Sequence, residues 1–100
     1  QTRLERAIDA VRSLDSQTAA AIARLAEGMQ RLPDTQRVDA TDALMVIAEQ
    51  SAIAEVDARM PKSVLGPVVN KVRDSLSLSA DLVQLWTTFG PVVTAWLLQR

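Results

Sequence analysis

The stretch LERAIDAVRSLDSQTAAAIARLAEGMQRL, residues 4–32, decides the fold class of this chain. Its core-facing positions recur in alternating steps of four and three, which is the spacing of a coiled-coil seam on one face of an α-helix. That seam consists of Leu4, Ile8, Val11, Asp15, Thr18, Ile22, Leu25, Met29 and Leu32. A neighbouring apolar row widens this face, which favours a helical bundle over a two-stranded coil. We therefore predict a first helix over residues 2–31.

Two polar residues, Asp15 and Thr18, interrupt the centre of this seam. Polar residues at core-facing heptad positions can fix the register and the number of associating helices. Alternatively, Leu14 and Ala21 turn inward and Asp15 faces solvent. Asp and Ser side chains also compete for backbone hydrogen bonds. We expect one continuous helix, with a kink near Asp15 and Ser16 as the alternative.

A proline ends this first helix and opens the next segment. Pro33 disfavours the α conformation in the residue before it, and Asp34 is a candidate N-cap. These signals predict a second helix over residues 35–59, closed by Pro61. Val38 is among the residues expected to be buried on it.

Two Gly-Pro pairs punctuate the remaining chain. Gly66-Pro67 precedes a third predicted helix over residues 67–89, because proline is tolerated at the first helical position. Gly90-Pro91 then closes that helix, and a short fourth helix covers residues 91–98. The last segment can instead be a kinked continuation of the third helix.

No strand-like alternation or hairpin turn signal occurs in the sequence. The expected fold is all-α, a three-helix antiparallel bundle with a long first hairpin and a short fourth C-terminal helix. It occupies residues 1–100 as a single domain. Because the first residue is Gln1 and not Met, we expect the domain to be part of a longer protein.

Composition excludes several kinds of chemistry. The 100 residues contain no Cys, His or Tyr, so disulfides, Cys/His zinc sites and histidine acid–base catalysis are absent. Nucleophile-elbow, phosphate-loop and dinucleotide motifs are also absent. We therefore expect no enzymatic activity, no catalytic residues, no bound metal and no cofactor.

Charge is segregated although the net charge is only −1. Residues 38–57 hold five carboxylates and no base, whereas residues 58–74 hold four bases against Asp74 alone. Such segments can steer helices or subunits together. Asp39 and Asp42 have a spacing that could share a cation, but a solvated helix face is favoured. Arginines of the first helix alternate with acids and lack aromatic neighbours, so we expect no nucleic-acid binding.

The most distinctive segment is LVQLWTTFGPVVTAWLL, residues 82–98, which carries no charge. A membrane span needs about 20 mostly apolar residues, so this segment is short for one. Burial in a protein core or subunit interface is the favoured interpretation, and membrane contact after a conformational change is the alternative. Asp81, at its start, is expected to face water or to pair with a base.

The predicted helices are apolar over more surface than one folded copy can bury. Exposed apolar patches usually mark contacts with other molecules. The predicted interface consists of Leu82, Leu85, Trp86, Phe89, Val92 and Trp96, with Val46 and Ile53 as a second patch. We expect a non-enzymatic oligomerisation or protein-interaction module whose partner is a second copy or another protein. The alternatives are a membrane-active segment over residues 82–98 and a binder of nucleic acid or a small ligand.

The stretch from Leu78 to Trp86, followed by Phe89-Gly90-Pro91, resembles small accessory helical modules of bacterial conflict, or defence, effector proteins. The preceding order of an acidic helix and a Pro/Lys connector is similar as well. This resemblance implies a module for self-association or partner docking, with membrane action in some versions, and it supplies no catalytic residue. The absence of Cys fits a reducing compartment, and we expect a cytoplasmic location with membrane association as an option.

Overall fold

The chain is built from α-helices, and the computed structural model describes residues 1–98. The five α-helices of that part are α1 (Arg3–Leu14), α2 (Ser16–Met29), α3 (Asp34–Ser51), α4 (Lys62–Ser75) and α5 (Ala80–Leu98), with a 3-10 turn at Val56–Ala58. No strand occurs between residues 1 and 98. The all-α prediction is confirmed, whereas the expected set of four helices is wrong in number and in bounds.

The predicted first helix is divided at Asp15. This residue is extended, with φ −157° and ψ 105°, and its carboxylate accepts a hydrogen bond from the Thr18 amide at 3.0 Å. Asp15 therefore acts as the N-cap of α2, and the expectation of one continuous helix is wrong. The Thr18 hydroxyl, which is buried, donates to the same carboxylate oxygen. Leu14 stays exposed, so it does not turn inward.

The division at Asp15 turns the chain back on itself. Leu4 and Ile8 of α1 line one groove together with Ala23 and Ala26 of α2. Residues near the start of α1 thus lie beside residues near the end of α2, so the two helices form an antiparallel hairpin with a one-residue connection. The predicted long rod is in fact this hairpin.

Helix α3 ends at Ser51, eight residues before the predicted end at residue 59. Just after the helix, the Ile53 carbonyl accepts a hydrogen bond from the Arg59 guanidinium at 3.0 Å. Asp34 is the first residue of α3, with Pro33 at the N-cap position, so its predicted capping role is not observed. Val38 is 59% exposed, so the expectation that it is buried is wrong.

Both Gly-Pro pairs lie inside helices. Pro67 is in α4 and Pro91 is in α5, so the predicted boundaries at residues 67 and 91 are wrong. Proline disfavours the α conformation of the preceding residue partly through that residue's Cβ, which glycine lacks. The break that exists falls at residues 76–79, where Ser79 Oγ accepts from the Leu82 amide at 3.3 Å and starts α5.

Helices α2 and α3 lie at the centre of the fold. α2 packs against α1, α3 and α5, while α3 packs against α1, α2 and α4. The largest fully buried side chains come from all five helices and include Val11, Ile22, Leu25, Met29, Leu44, Ile47, Leu65, Val72, Val93 and Leu97. The radius of gyration, 12.4 Å, is close to the value of about 13 Å expected for a folded chain of this length.

Candidate interaction surface on α5

Helix α5 differs from the other helices in its charge and its aromatic content. Between residues 80 and 98 its only charged residue is Asp81, which is exposed. All three aromatic residues of the chain lie on it: Trp86, Phe89 and Trp96. Each of the three is half-buried, so the fold of one molecule leaves part of each ring exposed to solvent.

A row of apolar side chains follows one flank of α5. Leu85, Phe89, Val92 and Trp96 recur at helical spacing, and we call this row the α5 flank. Its first part borders α2. A Cβ atom added at Gly28 of α2 would lie 2.2 Å from Leu85 Cδ2, so glycine permits this close approach.

The middle of the α5 flank carries a cation–π contact. The guanidinium carbon of Arg24, on α2, lies 5.8 Å from the centre of the Phe89 ring. This distance is within the range of a favourable interaction. Arg24 itself is exposed, so one face of the ring is covered by a side chain that water can reach.

Trp96 fastens the end of α5 to the end of α3. Its indole Nε1 donates to the Ser51 carbonyl at 2.9 Å. The Arg59 guanidinium lies 5.4 Å from the indole ring and donates to the Trp96 carbonyl at 2.8 Å. Arg59 is only 5% exposed, so these contacts hold a buried charge at the negative end of the α5 dipole.

Trp86 is positioned by a glycine one turn later. A Cβ atom added at Gly90 would lie 2.5 Å from Cδ2 and Cε2 of the indole. The ring therefore lies against the bare backbone of Gly90. Trp86 is half-buried and packs against the core.

A shallow depression lies beside Trp96, where α5 faces the turn between α1 and α2. It has a volume of about 280 Å³, and its lining residues are Asp15, Gln17, Thr18, Val92, Ala95 and Trp96. The Asp15 carboxylate within it is already engaged by Thr18. Apolar side chains of the α5 flank form one wall, so the depression continues that flank.

The predicted interface residues are divided by the structure. Leu82 is 4% exposed and belongs to the core, so it is not available to a partner. Five others lie together on α5 and are half-buried: Leu85, Trp86, Phe89, Val92 and Trp96. Val46 and Ile53 are also half-buried, but Ile53 lies beyond the end of α3. These two residues therefore do not share a helical face, although their spacing predicted one.

Sequence reasoning missed Arg59. A single arginine in a connector between helices has the same pattern as a solvated residue, so no local signal distinguishes it. The residue that could have indicated it is Trp96. Its ring can form a cation–π contact with a guanidinium, and carbonyls in the last turn of its helix can accept hydrogen bonds from the same group.

Several other charged residues form surface pairs. Arg3 bridges α1 and α3 through Glu49 at 2.7 Å, and this hydrogen-bonded carboxylate raises the pKa of Arg3. Asp39 and Asp42 are exposed on α3. Within residues 1–98, no group of three carboxylates, histidines or cysteines could hold a metal ion.

The start of α1 is a capping box. The Thr2 hydroxyl accepts from the Glu5 amide, and the Glu5 carboxylate accepts from the Thr2 amide, each at 3.1 Å. The backbone hydrogen bond from Thr2 lowers the pKa of Glu5 below its usual value. Glu5 is therefore ionised at neutral pH.

The helices of the described chain do not meet the requirements for crossing a membrane. Over residues 1–98, none of them combines the length and the apolar character that a transmembrane span requires.

Comparisons with known proteins found no relative. No known protein family, curated protein or solved structure matches this chain.

Proposed function

We propose that this chain is a non-enzymatic helical interaction module that associates with a second copy of itself through the α5 flank. The supporting observation is that every aromatic residue of the chain lies on α5 and is left half-buried. Aromatic side chains are enriched at the centres of protein interfaces, where they contribute much of the binding energy.

The charge distribution on α5 favours pairing of identical surfaces. Asp81 lies in the first turn, and the rest of the helix up to Leu98 is uncharged. Two copies of α5 packed antiparallel across a two-fold axis place their Asp81 residues at opposite ends. No like charges of α5 itself then face each other along the shared surface.

The resemblance to accessory modules of bacterial defence effectors agrees with this role. In those proteins, association of the module would bring the attached effector domains together. On this proposal the module acts in the cytoplasm and has no catalytic residue, cofactor or metal of its own.

The decisive measurement is the mass of the full chain in solution, obtained by sedimentation velocity over a range of concentrations. We expect the wild type to form a dimer at micromolar concentration. Val92→Lys places a charge in the α5 flank and should give a folded monomer, since a buried unpaired charge is costly.

A matched control lies on the same helix. Val83 is 45% exposed and lies on the opposite side of α5 from Val92. Val83→Lys should therefore remain a dimer. Phe89→Ala, within the α5 flank, should weaken the dimer, and its helical circular dichroism should show that the chain still folds.

Other results would reject the proposal. If the wild type stays monomeric, the chain does not self-associate. If Val92→Lys and Val83→Lys have the same mass in solution, the α5 flank is not the site of association. Leakage of anionic liposomes by a monomeric wild type would favour the membrane-active alternative. A salt-dependent mobility shift with DNA would favour nucleic-acid binding.

A further inference from the structure

Helix α2 borders the α5 flank and runs in the opposite direction to α5. Gly28, near the end of α2, lies against Leu85 in the first part of α5. Gln17, near the start of α2, lines the same depression as Trp96 in the last part of α5. The cation–π contact described above lies between these two points. Residue numbers therefore fall along α2 as they rise along α5, and the two helices form one continuous surface.

An exposed strip of α2 lies next to the α5 flank. Gln17, Arg24 and Arg31 follow one another at intervals of seven residues, which places them on one side of the helix. Arg31 comes just after α2, but its amide donates to the Gly28 carbonyl at 3.1 Å, so the helical turn continues to this position. We call the exposed residues on this side the α2 strip: Gln17, Ala20, Arg24, Glu27 and Arg31.

The two ends of the α2 strip carry opposite charges. At its start, the half-buried Asp15 lines the depression, and Thr18 engages only its Oδ2 atom. Asp15 Oδ1 accepts no hydrogen bond from residues 1–98. At the other end, Arg31 is exposed and forms no ion pair with a described residue, not even with Asp81 at the start of α5. A carboxylate oxygen and a guanidinium thus remain to be paired.

Two-fold symmetry brings these opposite ends together. The inference rests on the α5 pairing proposed above, in which two copies of α5 lie antiparallel across an axis at the middle of the flank, between Phe89 and Val92. Because α2 borders α5, the α2 strip of one copy then lies antiparallel to that of the other copy. The start of each strip therefore faces the end of the other.

We propose that Arg31 of each copy forms an ion pair with Asp15 of the other copy in this dimer. Symmetry gives two such pairs, one at each end of the shared surface. The depression at Asp15, of about 280 Å³, has room for a guanidinium. A strip with opposite charges at its two ends is complementary to itself when reversed, and this self-complementarity identifies the occupant as a second copy.

The third charge near the middle of the surface does not oppose itself in this register. Arg24 lies beside Phe89, and Phe89 faces Val92 of the other copy across the axis. Arg24 therefore faces the part of the other α2 strip beside Val92, about one turn from the second Arg24. Ala20 is at this position, and its small side chain leaves room for the guanidinium.

Neutral variants of the full chain test the ion pair. Asparagine caps a helix as well as aspartate does, so Asp15→Asn removes the charge and keeps the start of α2. Asp15→Asn and Arg31→Gln should each raise the Kd of the dimer by about tenfold, measured by sedimentation equilibrium. The double variant should be no weaker than either single variant, because one interaction is lost in all three.

Two exposed residues on other helices serve as matched controls. Arg6→Gln on α1 and Asp39→Asn on α3 remove the same charges and should leave the Kd unchanged. Additive effects of Asp15→Asn and Arg31→Gln would overturn the ion pair. An unchanged Kd in both, with Val92→Lys monomeric, would overturn it too and leave the α5 dimer standing. A monomeric wild type would reject the dimer and the ion pair together.

A cross-link tests the register independently of charge, since the chain has no native cysteine. Gln17 lies beside Trp96, which faces Leu85 of the other copy, and Glu27 is next to Gly28 at that point. An oxidised mixture of Gln17→Cys and Glu27→Cys chains should therefore form a disulfide-linked heterodimer. Each variant alone should not cross-link, because its two cysteines are about 15 Å apart along the helix.

The cross-linking pattern also has outcomes that contradict the proposal. Disulfide-linked homodimers of either single variant, at yields equal to the heterodimer, would show that the α2 strips do not meet in this register. A mixture that is dimeric by sedimentation but forms no disulfide would show the same. In both cases the α5 dimer stands, and the ion pair at its ends is overturned.

Discussion

A single buried guanidinium joins three separate parts of the chain. Arg59 donates to the Ile53 carbonyl just after α3 and to the Trp96 carbonyl in the last turn of α5. It also lies over the Trp96 ring. Carbonyl groups at helix ends have no partner within the helix, so the guanidinium supplies the donors that they require. The connector and two helix ends therefore depend on one side chain.

Removing this side chain should destabilise the protein. We expect Arg59→Ala to lower the free energy of unfolding by about 2–3 kcal/mol, because buried carbonyls lose charged donors. Arg59→Lys should recover only part of the loss, since an ammonium cannot span both acceptors in the same plane. Urea denaturation followed by tryptophan fluorescence measures both. Arg6→Ala, at an exposed position of α1, is the control and should change little.

The capping box at the start of α1 predicts a specific dependence on pH. The folded-state pKa of Glu5 is lowered, chiefly by the hydrogen bond from the Thr2 backbone. The contribution of the ionised Glu5 carboxylate to the free energy of unfolding is fully present above the unfolded-state pKa. It is lost as the pH falls through the lowered folded-state pKa. The free energy of unfolding should thus decrease less steeply with acid in Glu5→Gln than in the wild type.

Denaturant titrations across the acid range measure this difference. Glu55→Gln is the matched control, because that exposed side chain accepts no hydrogen bond from the described residues. Its curve should follow the wild type. Equal slopes for Glu5→Gln and the wild type would show that the capping box contributes nothing to acid sensitivity.

At the scale of the helix, glycine changes the effect of the proline that follows it. Proline removes one helical hydrogen bond and crowds the preceding turn. In α4 and α5 the preceding residue is glycine, so the clash with a Cβ atom is avoided. Gly-Pro is therefore a poor stop signal here, which is why the predicted boundaries of the third and fourth helices failed.

The retained prolines should still weaken their helices. Pro67 is exposed inside α4, and we expect Pro67→Ala to raise the free energy of unfolding by about 2 kcal/mol, as it restores a backbone donor. Pro61→Ala is the control, because Pro61 precedes the first residue of α4 and has no helical donor to restore. Thermal unfolding by circular dichroism compares them. A neutral or destabilising Pro67→Ala would contradict this account.

At the scale of the whole molecule, the contact of α5 with α2 depends on Gly28. A methyl group there would overlap Leu85 Cδ2, so Gly28→Ala should lower the free energy of unfolding by about 1–3 kcal/mol. Leu85→Ala removes the overlapping atom. The double variant should therefore be more stable than the sum of the two single changes implies, by about 1 kcal/mol.

A double-mutant cycle in urea measures this coupling. Gly66 is the control glycine, because a Cβ atom there meets nothing within 4 Å. The effects of Gly66→Ala and Leu85→Ala should add. Additivity for Gly28 and Leu85 as well would mean that the close approach of α2 and α5 does not depend on the glycine.

The sequence was informative where a signal is local and repetitive. Apolar periodicity predicted the fold class and most core residues of α2, such as Ile22, Leu25 and Met29. It could not show that Asp15 would cap a new helix. An aspartate at a core-facing heptad position can be buried in the seam, face solvent or interrupt the helix, and periodicity does not distinguish these cases. Leu82 was assigned to the interface from apolarity alone, which does not distinguish a core side from an exposed flank.

The one-residue turn at Asp15 also has a kinetic consequence. Two helices joined in this way need almost no loop closure before their side chains meet, so the entropic barrier to their association is small. Contacts between neighbours in sequence also favour rapid folding. We therefore expect α1 and α2 to form the earliest structured unit during refolding, with α5 docking afterwards onto the surface they provide.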